Sequence, residues 1–242
     1  MGISSKLSKS LRKMKQKRKL SKLKRKFSHN ASQINFDWDW SAENYNRIAT
    51  VNNIIRRLNK NKIRYLEIGC CENELFNAVC ADTKIGVDPI KGGTHRMTSD
   101  EFFAKTNEKF DVIFIDGLHE YHQVRNDTIN ALHCLSDGGV IAFHDFLPRN
   151  WLEQHVPQLY VPRLNDLCTG DCWKVACELT RSEGLEFKII KIDHGVGILR
   201  KASENFRLAD MRKELDGKQF DYYAEAVKSF PIVSWQEFDA WL

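Results

Sequence analysis

Short apolar runs recur through the middle of this chain at intervals that suit a parallel β-sheet. They lie at residues 64–68, 84–87, 111–115 and 139–143. Each run is long enough for one strand, and the stretches between them are long enough for connecting helices. Strands that are buried on both faces are apolar throughout rather than alternating. The pattern therefore predicts an α/β fold with a doubly wound, mostly parallel sheet and flanking helices.

Two further apolar runs, at residues 187–192 and 196–199, extend the predicted sheet towards the C-terminus. Beyond residue 200 the chain becomes charged and aromatic, which favours a helical extension that lies against the core. Before the first strand, apolar residues recur at helical spacing. These are Ile48, Val51, Ile54, Ile55 and Leu58. We therefore expect a helix that Ser41 caps, that ends near Leu58 and that packs on the sheet.

The length of 242 residues suits one α/β core with appendages. We divide the chain into a basic tail (1–30), an N-terminal helical segment (31–60), a central domain (61–200) and a C-terminal helical extension (201–242).

The basic tail alone accounts for the positive charge of the chain. Residues 1–30 contain twelve Lys or Arg and no acid, so the remainder holds 25 basic against 32 acidic residues, a net charge of −7. Apolar residues recur among these lysines at steps of three and four. Two interpretations stay open: a solvated, disordered arm, or an amphipathic helix that forms on an anionic membrane surface. Lysine-rich arms also bind nucleic acid phosphates.

The chain has no apolar run long enough to cross a membrane and no secretory signal. Its seven cysteines form no C-x-x-C pair, which indicates free thiols in a reducing compartment. We therefore expect a soluble, cytoplasmic protein. If the basic tail binds a membrane surface, the protein would be a peripheral membrane protein.

Ligands of open α/β sheets bind outside the carboxyl ends of the strands, so the residues that follow each run are the candidate site. The first run leads into Glu67, Gly69, Cys71 and Glu72. A dinucleotide site would need further glycines near the pyrophosphate, and Glu72 would repel phosphate. S-adenosylmethionine carries no phosphate and two positive charges, so this loop suits it better.

The second run ends at Asp88, nineteen positions after Gly69, where an acid can accept hydrogen bonds from ribose hydroxyls. The alternative is that Asp88 only opens a turn before Pro89. Thr98 and Glu101 then form a capping box at the start of a helix. Ser99 belongs to the same segment and is a candidate contact to the adenine.

These motifs, taken in order, resemble the class I methyltransferases of the family 24 type. The resemblance rests on YLEIG at 65–69, IGVDP at 85–89, TSDEFF at 98–103, FDVIFIDGLH at 110–119 and GGVIAFHD at 138–145. GDCWK at 170–174 and DHGVG at 193–197 extend it to about residue 200. It implies a Rossmann-like domain, S-adenosylmethionine as cofactor and an acceptor region that includes Trp173 and Lys174. An aromatic residue at position 173 is equally compatible with the core.

Two acids and two histidines follow the third and fourth runs, at Asp116, His119, His144 and Asp145. Similar O-methyltransferases hold Mg²⁺ with acids at these strand ends, so Asp116 and Asp145 are candidate ligands for Mg²⁺ or another divalent metal. His144 instead of a second acid favours a transition metal. A metal-free mechanism with a histidine base is the alternative, with His144 as the first choice and His119 as the second. Asp116 is a further candidate catalytic residue and also a candidate contact to S-adenosylmethionine.

We therefore expect a methyltransferase that acts on a hydroxyl of a small-molecule or sugar-containing acceptor. One alternative is a nucleic-acid methyltransferase that uses the basic tail. Another is a scaffold that binds S-adenosylmethionine without catalysis. The oligomeric state is left open.

Overall fold

The computed structural model describes residues 3–40, 42–159 and 168–242. Within them, seven strands form one sheet in the order β2-β1-β3-β4-β6-β5-β7. The strands are β1 (Arg64–Ile68), β2 (Thr83–Val87), β3 (Phe110–Ile115), β4 (Leu135–Phe143), β5 (Leu185–Ile190), β6 (Val196–Lys201) and β7 (Ile232–Val233). The first four pair in parallel, and β6 runs antiparallel between β4 and β5. The predicted doubly wound α/β sheet is confirmed.

Helices cover both faces of this sheet. In the described residues they are α1 (Ile3–Lys26), α2 (Arg47–Leu58), α3 (Glu74–Ala78), α4 (Ser99–Phe103), α5 (Tyr121–Cys134), α6 (Trp173–Thr180), α7 (Arg212–Leu215), α8 (Phe220–Ala226) and α9 (Trp235–Trp241). Alternate residues of a strand serve opposite faces: Ile113 and Ile115 pack in one core cluster, Val112 and Phe114 in the other. Because both faces are buried, the strands are apolar throughout.

Helix α2 packs on the sheet through Val51 and Ile54, as its apolar face predicts. Its start differs from the prediction. Asn46 is the N-cap and accepts hydrogen bonds from the backbone N–H groups of residues 48 and 49, at 3.0 and 3.2 Å. Ser41 lies outside the described residues, and the helix begins six residues after it, at Arg47. Asn and Ser cap helices about equally well, so sequence alone did not separate them.

The C-terminal region also adds a strand that the sequence did not predict. β7 pairs in parallel with β5 at the edge of the sheet, and Ser234 then caps α9 with a capping box to Glu237. A two-residue strand carries too little pattern to be recognised. No helix among the described residues is long and apolar enough to span a bilayer.

A buried ion pair joins α5 to α6. Glu178 is fully buried and accepts hydrogen bonds from the Arg125 Nε, at 2.8 Å to the nearer oxygen, and from the Tyr121 hydroxyl at 2.8 Å. The backbone N–H of Met211 donates a third, at 2.9 Å. Tyr121 begins α5 directly after the loop that follows β3. The Arg125–Glu178 ion pair therefore holds α5 in place, and with it the end of the loop that follows β3.

We predict that Arg125→Met destabilises the protein by about 3–5 kcal/mol, because it leaves the Glu178 carboxylate buried without its counter-charge. Urea unfolding measures this loss. The matched control is Arg207→Met, which removes the partner of Glu183 in an ion pair whose side chains are 75% and 69% exposed. The free energy of unfolding of that variant should fall by about 0–1 kcal/mol. Equal losses in the two variants would contradict the assignment.

Candidate active site

The loop after β1 makes a tight backbone contact with the end of β3. Gly69 has a φ of +86°, and a Cβ at this position would lie 2.0 Å from the backbone oxygen of Asp116. The two loops lie at the point where the connections leave β1 towards β2 on one side and β3 on the other. This switch point is where open α/β sheets form a ligand crevice.

Asp88, which follows β2, is held by backbone N–H groups. Its Oδ2 accepts from Cys71 at 2.9 Å, and its Oδ1 accepts from Ile90 and Lys91 at 2.8 and 2.9 Å. Burial alone would raise the pKa of Asp88, but these hydrogen bonds lower it below its usual value. A carboxylate has about four acceptor positions, so roughly one remains for a ligand. Asp88 therefore closes its turn and can still accept a further hydrogen bond.

Glu67 lies beneath this crevice, at 2% exposure. The Tyr65 hydroxyl donates to its Oε2 at 2.6 Å. Burial raises the pKa of Glu67 to about 7, and the Tyr65 hydrogen bond opposes that rise. Because this carboxyl is buried, a ligand could contact it directly only by passing the loop that follows β1.

The predicted capping box at the start of α4 is confirmed. The Thr98 side chain accepts from the Glu101 backbone N–H at 3.2 Å, and Glu101 accepts from the Thr98 backbone N–H at 2.9 Å. Ser99 is buried and accepts a hydrogen bond from Gln123 of α5 at 3.1 Å. The segment is thereby fixed to α5 at the side of the crevice.

Asp116, His119, His144 and Asp145 converge at the ends of β3 and β4. The Asp116 Oδ1 lies 3.3 Å from the His119 Nε2 and 3.4 Å from the His144 Nδ1. The Asp145 carboxylate lies 3.0 Å from the His119 Nδ1 and 3.3 Å from the His144 Nδ1. We call these four side chains, together with Asp193, the His–Asp cluster.

Asp193, from the loop after β5, completes the cluster. Its Oδ1 lies 3.4 Å from the His144 Nε2, without the geometry of a hydrogen bond, so this buried nitrogen has no hydrogen-bond partner in the described structure. Its Oδ2 accepts from the backbone N–H and the Nη1 of Arg47, both at 3.0 Å. Arg47 begins α2, so the start of that helix is tied to the cluster.

The cluster balances its charges by holding protons on both imidazoles. Burial alone would lower the pKa of His119, but the Asp145 and Asp116 carboxylates raise it to about 9. The same two carboxylates outweigh burial at His144 and raise its pKa well above the usual value. Burial alone would raise the pKa of Asp116, but His144 and His119 lower it well below its usual range. Three carboxylates thus face two imidazolium groups and Arg47.

Backbone strain is concentrated at this edge of the sheet. Five of the six non-glycine residues with positive φ in the described chain follow a strand here: Cys71, Asn73, Asp145, Asp193 and His194. Such conformations persist only where surrounding contacts impose them, and they are common at functional sites.

The orientation of His119 is fixed by the loop before α6. Its Nδ1 lies 2.7 Å from the backbone oxygen of Cys168. A carbonyl oxygen only accepts, so Nδ1 carries a proton and Nε2 is the nitrogen that can gain or lose one. Gly170 allows this approach, since a Cβ there would lie 1.7 Å from the backbone oxygen of His119.

The cluster contains a set of atoms that fits a metal ion. Ligand atoms of Asp116, His144 and Asp145 all lie within 4.8 Å of one another. Two carboxylates and one imidazole form a mixed oxygen and nitrogen donor set, which suits Mn²⁺, Fe²⁺ or Zn²⁺ better than Mg²⁺.

Aromatic rings extend from the cluster along the segment before α2. The His194 ring stacks on the His144 ring at 5.9 Å, and the Trp40 ring lies 5.5 Å from His194. Trp38 follows at 6.2 Å from Trp40, and its Nε1 donates to the backbone oxygen of Pro148 at 3.3 Å. Half-buried aromatic faces therefore border the cluster.

Sequence reasoning and structure agree on the four strand-end residues but differ around them. Arg47 and Trp40 were missed, because nothing local connects them with the strand ends. Asp193 belongs to the DHGVG motif at 193–197, which contributes to the family resemblance but does not by itself give the residue a role. Trp173 is fully buried and donates to Gln154 at 3.0 Å, so it belongs to the core rather than to an acceptor pocket.

Comparison with known proteins gives one family match. A family model of a methyltransferase domain, of the family 24 type, matches residues 64–146. A comparison with curated protein sequences gives no match.

Solved structures of similar proteins are distant. The MycE methyltransferase of the mycinamycin biosynthetic pathway, in complex with Mg, SAH and mycinamycin VI, is 16% identical with a TM-score of 0.41, and the match covers 62% of this chain and 48% of MycE. The SAH-bound Podospora anserina methyltransferase PaMTH1 is 17% identical with a TM-score of 0.45, over 62% of this chain and 76% of that one. This chain thus matches about half the length of MycE.

The family match covers β1 to β4 and the Asp116, His119, His144 and Asp145 side chains that follow them. Over residues 64–146 the chain is therefore similar to methyltransferase domains of the family 24 type.

Proposed function

We propose that this protein is an S-adenosylmethionine-dependent methyltransferase that methylates a hydroxyl of a small-molecule or sugar-containing acceptor. The observation that carries the proposal is the adjacency of two features at the switch point of the sheet. The crevice bounded by Gly69 and Asp88 lies next to the His–Asp cluster. S-adenosylmethionine bound in the crevice would present its methyl group beside the His–Asp cluster, whose side chains can bind an acceptor hydroxyl and take its proton.

The first loop favours S-adenosylmethionine over a dinucleotide on charge. Glu72 follows Gly69 and its side chain is 77% exposed, whereas Glu67 is buried and its pKa is raised to about 7. A pyrophosphate would meet the negative charge of Glu72, whereas a sulfonium and an ammonium would be attracted to it. Asp88 has about one acceptor position left for a ribose hydroxyl. A second direct hydrogen bond would require one of its backbone N–H donors to give way.

The cluster supports a divalent metal as part of the proposal. Asp116, His144 and Asp145 would hold the ion, with the His144 Nδ1 already facing both carboxylates at 3.4 and 3.3 Å. A bound divalent ion lowers the pKa of an acceptor hydroxyl and fixes its oxygen. Its charge also equals that of the two protons on the imidazoles, so their loss would leave the cluster balanced.

His119 is then the better choice of base, ahead of His144. Its Nδ1–H is directed to the Cys168 oxygen, which leaves Nε2 to accept the acceptor proton. Its side chain is 22% exposed against 10% for His144. As Nε2 takes the proton, the acceptor oxygen attacks the methyl carbon in line with the carbon–sulfur bond, and S-adenosylhomocysteine leaves as a neutral thioether.

The aromatic faces of Trp40 and His194 support an acceptor with a ring. Both border the cluster, and such faces stack against planar rings and the apolar faces of sugars. Alignment of the two substrates supplies a large share of the acceleration in a displacement of this kind.

For the cofactor, we predict that calorimetry shows binding of S-adenosylmethionine and no binding of NAD⁺. Asp88→Asn should weaken S-adenosylmethionine binding roughly tenfold to a hundredfold, because it removes a charged acceptor worth about 1.5–3 kcal/mol. Asp137→Ala, at an exposed position outside the crevice, is the control and should bind as wild type does. Tight NAD⁺ binding without any response to S-adenosylmethionine would disprove the proposed function.

For the metal, we predict that protein stripped with EDTA binds Mn²⁺ and releases protons as it does so. Calorimetry at neutral pH in two buffers of different ionisation enthalpy measures the release. Affinity should rise with pH through about 9, because the protons on His119 and His144 both oppose binding. His144→Ala should abolish binding, and His133→Ala, at an exposed position, should not. Binding without proton release would contradict this account of the cluster.

For pH, we predict a stability difference between metal-free wild type and His119→Gln. The pKa of His119 is raised from 6.5 to about 9, so its imidazolium stabilises the fold fully below pH 6.5, and this contribution is lost as the pH rises through about 9. The difference in the free energy of unfolding between the two proteins should shrink across that window. His133→Gln is the control. A difference that does not vary with pH would count against the ion pairs of His119.

A further inference from the structure

The basic segment forms a regular helix with an outward surface of unpaired positive charge. Side chains are described from residue 14 onwards, and we call residues 14–26 of α1 the basic arm. Its Lys and Arg side chains are exposed: Lys15, Lys17, Arg18, Lys19, Lys22, Lys24, Arg25 and Lys26. The first thirty residues contain no acid. The described structure shows no ion pair between these side chains and any acidic group of the body.

The arm is fixed to the body at its C-terminal end. Leu23 and Phe27 pack against the main core cluster. The Phe27 ring lies 4.6 Å from the ring of His155, and the Asn30 amide nitrogen lies 3.1 Å from the His155 Nε2. His155 is 1% exposed and belongs to the segment that follows β4. At this end the apolar side of the arm faces the protein. Met14, at the other end, is 49% exposed, and the rest of the solvent-facing side is basic.

The exposed charges include a straight row. Lys15, Lys19, Lys22 and Lys26 recur at steps of four, three and four, which places them along one side of a helix with 3.6 residues per turn. At 1.5 Å per residue the row spans roughly 16 Å. Arg18 and Arg25 flank it at a spacing of two turns. A straight row of this kind can meet a flat surface with all of its charges at once.

We propose that the basic arm docks this protein on an anionic lipid bilayer. Four to eight Lys or Arg on a helix is the pattern that binds anionic lipid headgroups by charge. The apolar side chains Leu23 and Phe27 already pack against the body, so binding is electrostatic and peripheral rather than inserted. Binding to single-stranded nucleic acid commonly adds aromatic stacking, and the arm exposes no aromatic side chain.

Docking in this way would set the position of the candidate active site relative to the membrane. The anchor residue His155 and the cluster residues His144 and Asp145 belong to one segment after β4. The remainder of the chain carries a net charge of −7 and would be repelled by the same surface. The arm would therefore be the contact, with the body held beside the bilayer.

The test is sedimentation of the full-length protein with phosphatidylcholine vesicles that contain or lack phosphatidylglycerol. We expect binding only to the anionic vesicles, and less binding as salt rises. Replacing Lys15, Lys19, Lys22 and Lys26 by Gln should lower the partition coefficient by more than roughly tenfold. The control replaces four exposed lysines of the body, Lys62, Lys105, Lys213 and Lys218, by Gln, which changes the net charge equally. Circular dichroism verifies that both variants fold.

Three results would overturn the proposal. The first is equal binding to neutral and anionic vesicles. The second is an equal loss of binding in the arm variant and the control variant. The third is tighter binding of single-stranded RNA than of anionic vesicles at the same salt, lost in the arm variant, which would make a nucleic acid the partner. Vesicle binding does not depend on methyl transfer, so these results leave the proposed function untouched.

Discussion

Three aspartate carboxylates meet at the carboxyl edge of the sheet, where Asp116, Asp145 and Asp193 all lie within 3.4 Å of the buried His144 ring. Like charges this close destabilise a fold unless positive charge is placed among them. The structure supplies it through two imidazolium groups and through Arg47, which begins α2. The placing of the two imidazoles among the carboxylates and the contact of the start of α2 with Asp193 meet this requirement.

The same requirement links structure to the proposed chemistry. A cluster that is balanced only when both imidazoles are protonated contains no good base at neutral pH. A divalent ion in place of two protons would leave the charge unchanged and would give His119 a free Nε2. Protons and metal would therefore compete for one site, and the fixed Nδ1–H···O contact to Cys168 determines which histidine nitrogen becomes available.

Local sequence patterns predicted much of the fold and the core of the site. Apolar runs located the parallel strands, and a four-residue capping box gave the start of α4, because both depend on neighbours in the chain. The proximity of Asp116 and Asp145 followed from their positions after β3 and β4, because the carboxyl ends of parallel strands lie at the same edge of a sheet. Arg47 and Trp40 could not be found in this way. Arg47 contacts Asp193 across 146 residues of chain, and Trp40 contacts His194, which stacks on His144, across 154. Ser41 and Asn46 are similar caps, and only packing decides between them.

The most direct test of the account is a crystal structure of the protein grown with S-adenosylhomocysteine and Mn²⁺, with anomalous diffraction to locate the ion. We predict the adenosine ribose beside Asp88, the homocysteine end beside Gly69, and one manganese peak among Asp116, His144 and Asp145. S-adenosylhomocysteine absent from the crevice, or a manganese ion bound away from the cluster, would contradict the account.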